Sequence, residues 1–566
     1  MKRILNKRSV QAAVATGAIV VGGSAGAIFA TAGSATAAVH AKAASSSALT
    51  VESSPVGQAN GFNPFVPTSA SSIVGATSLI YEPLFQADIL KPGKYYPFLA
   101  TSYKWGAGGR SITFVIRRGV KWSNGTAFTP ADVAFTYNLI KNNPAINGSG
   151  LTISSVSTRG DTVTLHFPTP QYANFQNIAG DVYIVPQSIW QSAGNPSTYA
   201  DTSPVGTGPY TVSSVGASGV VMTANPNYWG GPFGGHGAPA VKTVEFPTLS
   251  SNTSALAALD TGQVDWAGNF IADPKQAFAG KPLTFWSPPL NTVTLEPNLH
   301  TWPTDQLAVR QAISLAINRK AIASQGESGT EPIATNSSGL TLPVFNQFLA
   351  PSVKRAAYHI SPNANAKAAE KVLEKAGYKK VGKWFALHGK IVKLSVTDPT
   401  AYSDYAHDDQ IVAADLRAAG IDASAVGLAV NTWNSDMADA NFQLTMHWSN
   451  TSVAPYQLYD GWLNSALATK TNRAGNFEGL HNAAIDADLK KLAAAGTITA
   501  QRNDLAPIEQ FVATQLPIIP TVYGAAFDEY NTSQFTGWPS ASNPYEAGSP
   551  TAPTNEVVVL RLRPVG

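Results

Sequence analysis

The sequence predicts a mixed α/β protein of three to four domain-sized units, and three observations carry that reading. Strand-like and helix-like segments alternate along the chain, with no internal repeat and no long linker. Of the 566 residues, roughly 40 read as an export segment, and at ~150 residues per domain the rest supplies that number of units. Apolar residues make up 44% and aromatic residues 10%, enough to fill large cores, which excludes disorder.

Taken in order, the first element is an address. Lys2, Arg3, Lys7 and Arg8 form a basic start, residues 9–39 carry no charge, and Ala35-Thr36-Ala37-Ala38 ends the run in small residues that fit a signal-peptidase site. Residues 1–38 are therefore expected to be a signal peptide and 39–47 a small-residue spacer. The alternative is an uncleaved anchor, since about 20 apolar residues can span a bilayer. Either way the bulk of the chain belongs outside the cytoplasm, in a periplasm, at a cell surface or secreted. Gly22-Gly23-Ser24-Ala25-Gly26 matches the nucleophile elbow of serine hydrolases, but it lies inside this segment with no strand-turn-helix around it.

Residues 112–140 are the most legible stretch. Residues 112–116 read as a strand, and 119–122 as its extended continuation. Ser123-Asn124-Gly125-Thr126 is a tight turn, because Asn-Gly tolerates positive φ. Thr129 caps a helix with Pro130 at its first position and Asp132 in its first turn. Val133, Tyr137 and Ile140 share a face of it, and Asn142-Asn143-Pro144 ends it. A second helix starts near Asp305, with Val309, Ala312, Ile313, Ala316 and Ile317 at helical spacing. A third runs from about 365 to 376, with Val372, Leu373 and Ala376 apolar and Gly377 at the C-terminal cap. A fourth spans about 405–419. All four read as surface helices packed on sheets.

Composition and motifs exclude much chemistry. Lys+Arg total 38 against 35 Asp+Glu, so a net charge of +3 gives no electrostatic footprint for nucleic acid. Charged residues are only 13%, which also fits an acidic medium where carboxylates protonate. Cysteine is absent, which removes disulfides, thiolate metal sites, a Cys nucleophile and a lipidated N-terminal Cys. The nine histidines form no His-Glu-x-x-His, and there is no Walker loop and no complete dinucleotide fingerprint. His407-Asp408-Asp409 reads as an exposed acidic helix start rather than a metal site. Gly206-Thr207-Gly208-Pro209-Tyr210 reads as a structural turn, because Pro209 lacks an N–H and Tyr210 opens a strand. No cofactor is expected, and nothing marks a catalytic carboxylate pair.

Several segments point to one family. Tyr81-Glu82-Pro83-Leu84-Phe85, Pro97-Phe98-Leu99-Ala100 and the 119–140 block, GVKWSNGTAFTPADVAFTYNLI, resemble the family 5 extracellular solute-binding proteins, the peptide-type receptors of ABC importers. Gly206-Thr207-Gly208-Pro209-Tyr210, Asn225-Pro226-Asn227-Tyr228-Trp229, Gly262-Gln263-Val264-Asp265, Val309-Arg310-Gln311-Ala312 with Ala316-Ile317-Asn318-Arg319, and 366–378 follow in the family's order. The resemblance implies a two-lobed, hinge-closing periplasmic-binding-protein fold with an additional third domain. It places lobe I at 48–78, 202–292 and 520–566, the additional domain at 79–201 and lobe II at 293–519. It also implies a monomer that is not an enzyme, a ligand held between the lobes, and an ABC permease as the membrane partner.

Ligand residues are carried over position by position. Trp448 stands where the family has a pocket tryptophan. Asn450 and Thr451 stand where peptide binders often carry an Asp for the peptide's amino group, and no Arg precedes Trp448. Tyr523 and Asn269 sit near family cleft positions. Trp266 and Trp433 are further candidates, for which a core role is the competing reading. Phe535-Thr536-Gly537-Trp538-Pro539 with Asn543-Pro544-Tyr545 resembles members that bind cello-oligosaccharides, whose C–H faces stack on indoles. Trp122 and Trp229 read as structural. Three readings result: an oligopeptide receptor, the same receptor for an oligosaccharide or other neutral solute, and a secreted hydrolase. The first two differ by whether a carboxylate from elsewhere in the chain faces the cleft near Trp448.

Overall fold

The computed structural model describes residues 48–53, 61–148, 150–216, 218–233, 238–249, 252–349, 359–451, 453–468, 473 and 475–565. The export segment and spacer lie outside these residues. Among those described, no helix is long and apolar enough to cross a membrane.

The additional unit grows from the 112–140 block. Strand Ser111–Ile116 turns Ile112, Phe114 and Ile116 inward by its period of two. It sits in an antiparallel sheet ordered Ala100–Trp105, Ser111–Ile116, Thr162–His166, Ser155–Arg159. The extended run does not continue through 119–122: Gly119 takes φ 80°, and Lys121 keeps only a single bridge, to Ala127. The turn closes as expected, with the Trp122 N–H donating to Thr126 O at 2.9 Å and Gly125 at φ 85°. Helix Pro130–Asn142 follows, and Asp132 Oδ2 accepts the Thr129 N–H and hydroxyl, each at 2.9 Å. Val133, Tyr137 and Ile140 then bury against Trp122 and Phe128 in this unit's own core.

Lobe I is assembled from distant parts of the chain. Strand Ala48–Thr50 lies parallel to Thr243–Pro247, which pairs antiparallel with Gly219–Ala224, and that with Tyr210–Gly216. A Cβ on Gly206 would come within 1.8 Å of Ile80 O, so the Gly206–Tyr210 turn is glycine-bearing because backbone approaches it there. A three-stranded sheet places Glu529–Asn531 between Trp266–Ala267 and Leu283–Phe285.

Lobe II is a five-stranded sheet ordered Asp422–Leu428, Lys393–Pro399, Leu444–Trp448, Val293–Pro297, Ile519–Val522. The three expected helices form here as Leu307–Ala316, Ala366–Lys375 and Ser403–Ala418 and share its core. In the second of these, Ala369 and Leu373 make the buried line, while Ala376 lies exposed past the helix end. Helices Pro455–Leu463, Ala483–Ala494 and Ile498–Gln515 pack a further core beside it.

Two chain segments cross between the lobes, 286–292 and 523–528, and they pair with each other. The Leu290 N–H donates to Gly524 O at 2.8 Å, the Gly524 N–H to Asn291 O at 2.9 Å, and the Ala526 N–H to Pro288 O at 3.0 Å. A Cβ on Gly524 would lie 1.9 Å from Asn291 Oδ1, so a larger residue there would displace the Asn291 side chain. Because Ile519–Val522 still belongs to the lobe II sheet, the chain leaves that lobe after Val522.

Candidate functional site

A cavity of about 630 Å³ opens where the crossover ribbon meets both lobes. Gly268, Asn269, Phe270, Phe527 and residues 551–554 line one side. Val293, Glu331, Tyr402, Asp404, Tyr405, Trp448 and Thr451 line the other, with Leu290, Asn291, Ala525 and Ala526 between them. Ile89 and Gln176 reach in from the additional unit. The volume suits a small ligand, and among the described residues no Lys, Arg or His lines it.

Trp448 ends the strand Leu444–Trp448, past the core that Leu444 and Met446 fill, so its ring emerges at 39% exposure. Aromatic neighbours brace it. His447 stacks on it at 4.6 Å, while Tyr405, Trp433 and Tyr402 lie 6.1, 6.2 and 6.4 Å away. Trp433 is buried, donates Nε1–H to Thr445 Oγ1 at 2.8 Å, and stands behind the platform rather than in the cavity.

Two carboxyl groups, Glu331 and Asp404, belong to the polar lining. Glu331 Oε1 accepts the Ala525 N–H at 2.7 Å, whereas its Oε2 has no partner. Asp404, in the first turn of helix Ser403–Ala418, has a free Oδ1, and Asn291 a free Oδ1. Three residues that line the cavity thus each keep one buried side-chain oxygen without a hydrogen-bond partner. Behind it, Glu327 and Asp408 face each other, and their oxygens have no other partner, so one must carry a proton for the pair to bond. Burial pushes Glu327, Glu331, Asp404 and Asp408 upward, and like-charged neighbours push Glu327 and Glu331 further.

His407-Asp408-Asp409 is therefore not the exposed acidic cluster its sequence suggests. Asp408 is fully buried, and Asp409 is buried against Asp398, which accepts the Met446 N–H at 2.8 Å. Burial raises Asp409 to about 7. Among the described residues no group of three or more His, Asp or Glu is arranged to hold a metal ion.

Of the residues expected from sequence, the structure brings Trp448, Thr451 and Asn269 together on the cavity. Asn269 donates its amide to Glu52 Oε1. Asn450 is exposed beside the cavity and donates to Gln457 O at 3.3 Å. Tyr523 is buried, with its hydroxyl accepting the Thr335 N–H at 3.1 Å, and does not line the cavity. Trp266 is wholly buried and donates Nε1–H to Asp528 Oδ1 and Gly548 O at 3.0 and 2.8 Å. That burial fits the core reading for Trp266, as it does for Trp433. Trp538 is core too, stacked on Tyr530 at 4.7 Å and edge-on to Trp266 at 5.5 Å, so the 535–545 segment offers no indole to a sugar. Glu331, Asp404, Tyr402, Tyr405 and Asn291 were not singled out by sequence. Only an aromatic pair spaced three apart around an acidic helix start hinted at the Tyr402–Tyr405 edge.

The model for bacterial extracellular solute-binding proteins, family 5 Middle, matches residues 94–469. The nickel-binding periplasmic protein of Escherichia coli is 27% identical over 408 residues, covering 67% of this chain and 71% of that protein. The dipeptide-binding protein of the same organism is 28% identical over 309 residues, covering 50% of this chain and 56% of that one. In three dimensions the chain is similar to the mannohexaose-bound periplasmic oligopeptide-binding protein of Thermotoga maritima. The TM-score is 0.81 at 23% identity, covering 92% of this chain and 98% of that one.

Proposed function

The chain belongs to the bacterial extracellular solute-binding proteins of family 5, and from that premise we propose that it is the extracytoplasmic receptor of an ABC importer for oligopeptides. Members of this family bind solutes rather than transform them, and the family implies a place outside the cytoplasm. The chain acts as a monomer that captures its ligand between the lobes, closes about the crossover ribbon and presents it to a membrane permease.

One observation carries the ligand class. Among the described residues that line the cavity, Glu331, Asp404 and Asn291 each hold a buried oxygen without a partner, and none is cationic. A ligand rich in N–H donors, with an ammonium end, supplies what those acceptors lack, and buried acceptors left unmet are costly. Asp404 and Glu331 share the cavity with Trp448, which supplies the carboxylate that the segment following Trp448 does not contain. The oligosaccharide reading keeps one specific support, the half-exposed indole braced by Tyr402 and Tyr405.

Thermal-shift screening against di- to hexapeptides and against cello-, xylo- and malto-oligosaccharides tests the proposal. A ligand at a hundredfold its dissociation constant stabilises by about 2.7 kcal/mol. Peptide shifts that vanish in the D404N/E331Q double variant are expected. Shifts with sugars alone would reject the peptide and make Trp448 a stacking platform.

A further inference from the structure

Helix Ala366–Lys375 and the small sheet that follows it, Lys379–Val381, Trp384–Leu387 and Lys390–Ile391, stand apart from the rest of the chain in charge. Residues 367–393 hold eight lysines against two glutamates, a net of +6 in a chain whose total is +3. Everything outside these residues therefore sums to −3. All eight lysines are exposed. Lys380 pairs with Glu370 at 2.8 Å, which ties sheet to helix, while the register puts Lys380 and Lys390 on the sheet face opposite Lys379. Lys383 and Lys390 lie over the rings of Trp384 and Trp302. The other five have no ion pair among the described residues.

The chemistry of the patch selects its partner. It contains no arginine, so it presents mobile point charges without the planar fork that reads one carboxylate or phosphate in fixed geometry. The strand register sets Lys379, Val381, Trp384 and Ile391 on one face, where Val381 is 52% and Ile391 36% exposed. Lysines around two exposed aliphatic side chains and a half-buried indole suit a charged surface with an apolar interior beneath it. We propose that this lysine-rich helix and sheet dock the protein on anionic lipid, independently of the ligand cleft, whose cavity none of these residues lines.

The test is co-sedimentation of protein recovered from an exporting host with phosphatidylglycerol–phosphatidylcholine vesicles and with phosphatidylcholine vesicles. Binding to the anionic vesicles alone, weakening steeply with salt, is the expected result. The K379Q/K383Q/K390Q variant should lose roughly 100-fold in partition at low salt, at about fivefold per lysine. K104Q/K275Q/K490Q, with the same change in charge elsewhere, should lose far less. V381S/I391S should weaken binding several-fold with an unchanged salt slope. Equal binding to neutral vesicles, equal losses in the two lysine variants, or retention only when the permease is present in the vesicle would each overturn the proposal. The salt titration needs no variant.

Discussion

Raising the pH should destabilise this protein well before its basic groups titrate, and the Glu82–Glu556 pair shows why. Both side chains are fully buried. Glu82 accepts Nε1–H of Trp229 at 2.8 Å and the Tyr228 hydroxyl at 3.2 Å, while Glu556 has no partner for its oxygens but Glu82. Burial keeps the proton on Glu82, which releases it only at about 7 instead of 4.5, and burial together with the neighbouring Glu82 carboxyl raises Glu556 well above its usual range. In that window the unfolded chain binds fewer protons than the native one, so stability is complete below pH 4.5 and falls as the pH rises through about 7. Holding one proton across that interval is worth about 3 kcal/mol. Asp409, raised by burial to about 7, adds slope of the same sign. The perturbation is E556Q, whose amide can donate to Glu82 without a shared proton. Denaturant melts across acidic to alkaline buffers should show the parent losing stability as pH rises and the variant losing less, with the two closest at acidic pH. A stability optimum at neutral pH, or superimposable profiles for parent and variant, would refute the reasoning.

Other outcomes follow from particular contacts. W448A should weaken ligand binding by about 1–3 kcal/mol with little change in melting temperature, measured by titration calorimetry, because its ring is already half in solvent. W266A should do the reverse, costing about 3–5 kcal/mol of stability by opening a cavity against Trp538 and orphaning the partners of its N–H. D132A removes the acceptor of the Thr129 and Gln187 N–H groups and should cost about 2 kcal/mol in chemical denaturation. G524A should impair ligand capture, because its Cβ would strike Asn291 inside the crossover ribbon; small-angle scattering should show a smaller ligand-induced compaction.

Local rules made some elements readable in advance. Thr129-Pro130 with Asp132, the Asn124-Gly125 turn and Gly377 after helix Ala366–Lys375, at φ 88°, each owe their structure to neighbours a few residues away. The cleft is different. Asp404, Asp408 and Asp409 sit on a helix whose carboxyls look like a solvated face, yet they are buried, with Glu327, Glu331 and Asp398 from other elements beside them. A shared proton between residues that far apart leaves no periodic trace. Trp538 misled for the opposite reason: its motif looks like a ligand platform, yet Trp266 and Tyr530, hundreds of positions and eight positions away, enclose it.

The first lobe's composite origin bears on when the protein can begin to fold. Strand Glu529–Asn531 must slot between Trp266–Ala267 and Leu283–Phe285, and Asn555 must reach back to Gly75 O at 2.8 Å and to the Ser78 hydroxyl at 2.7 Å. A chain emerging amino end first holds that core open until its final segment has arrived, because such distant pairings form late. The half-made lobe has neither a sealed interior nor a cleft.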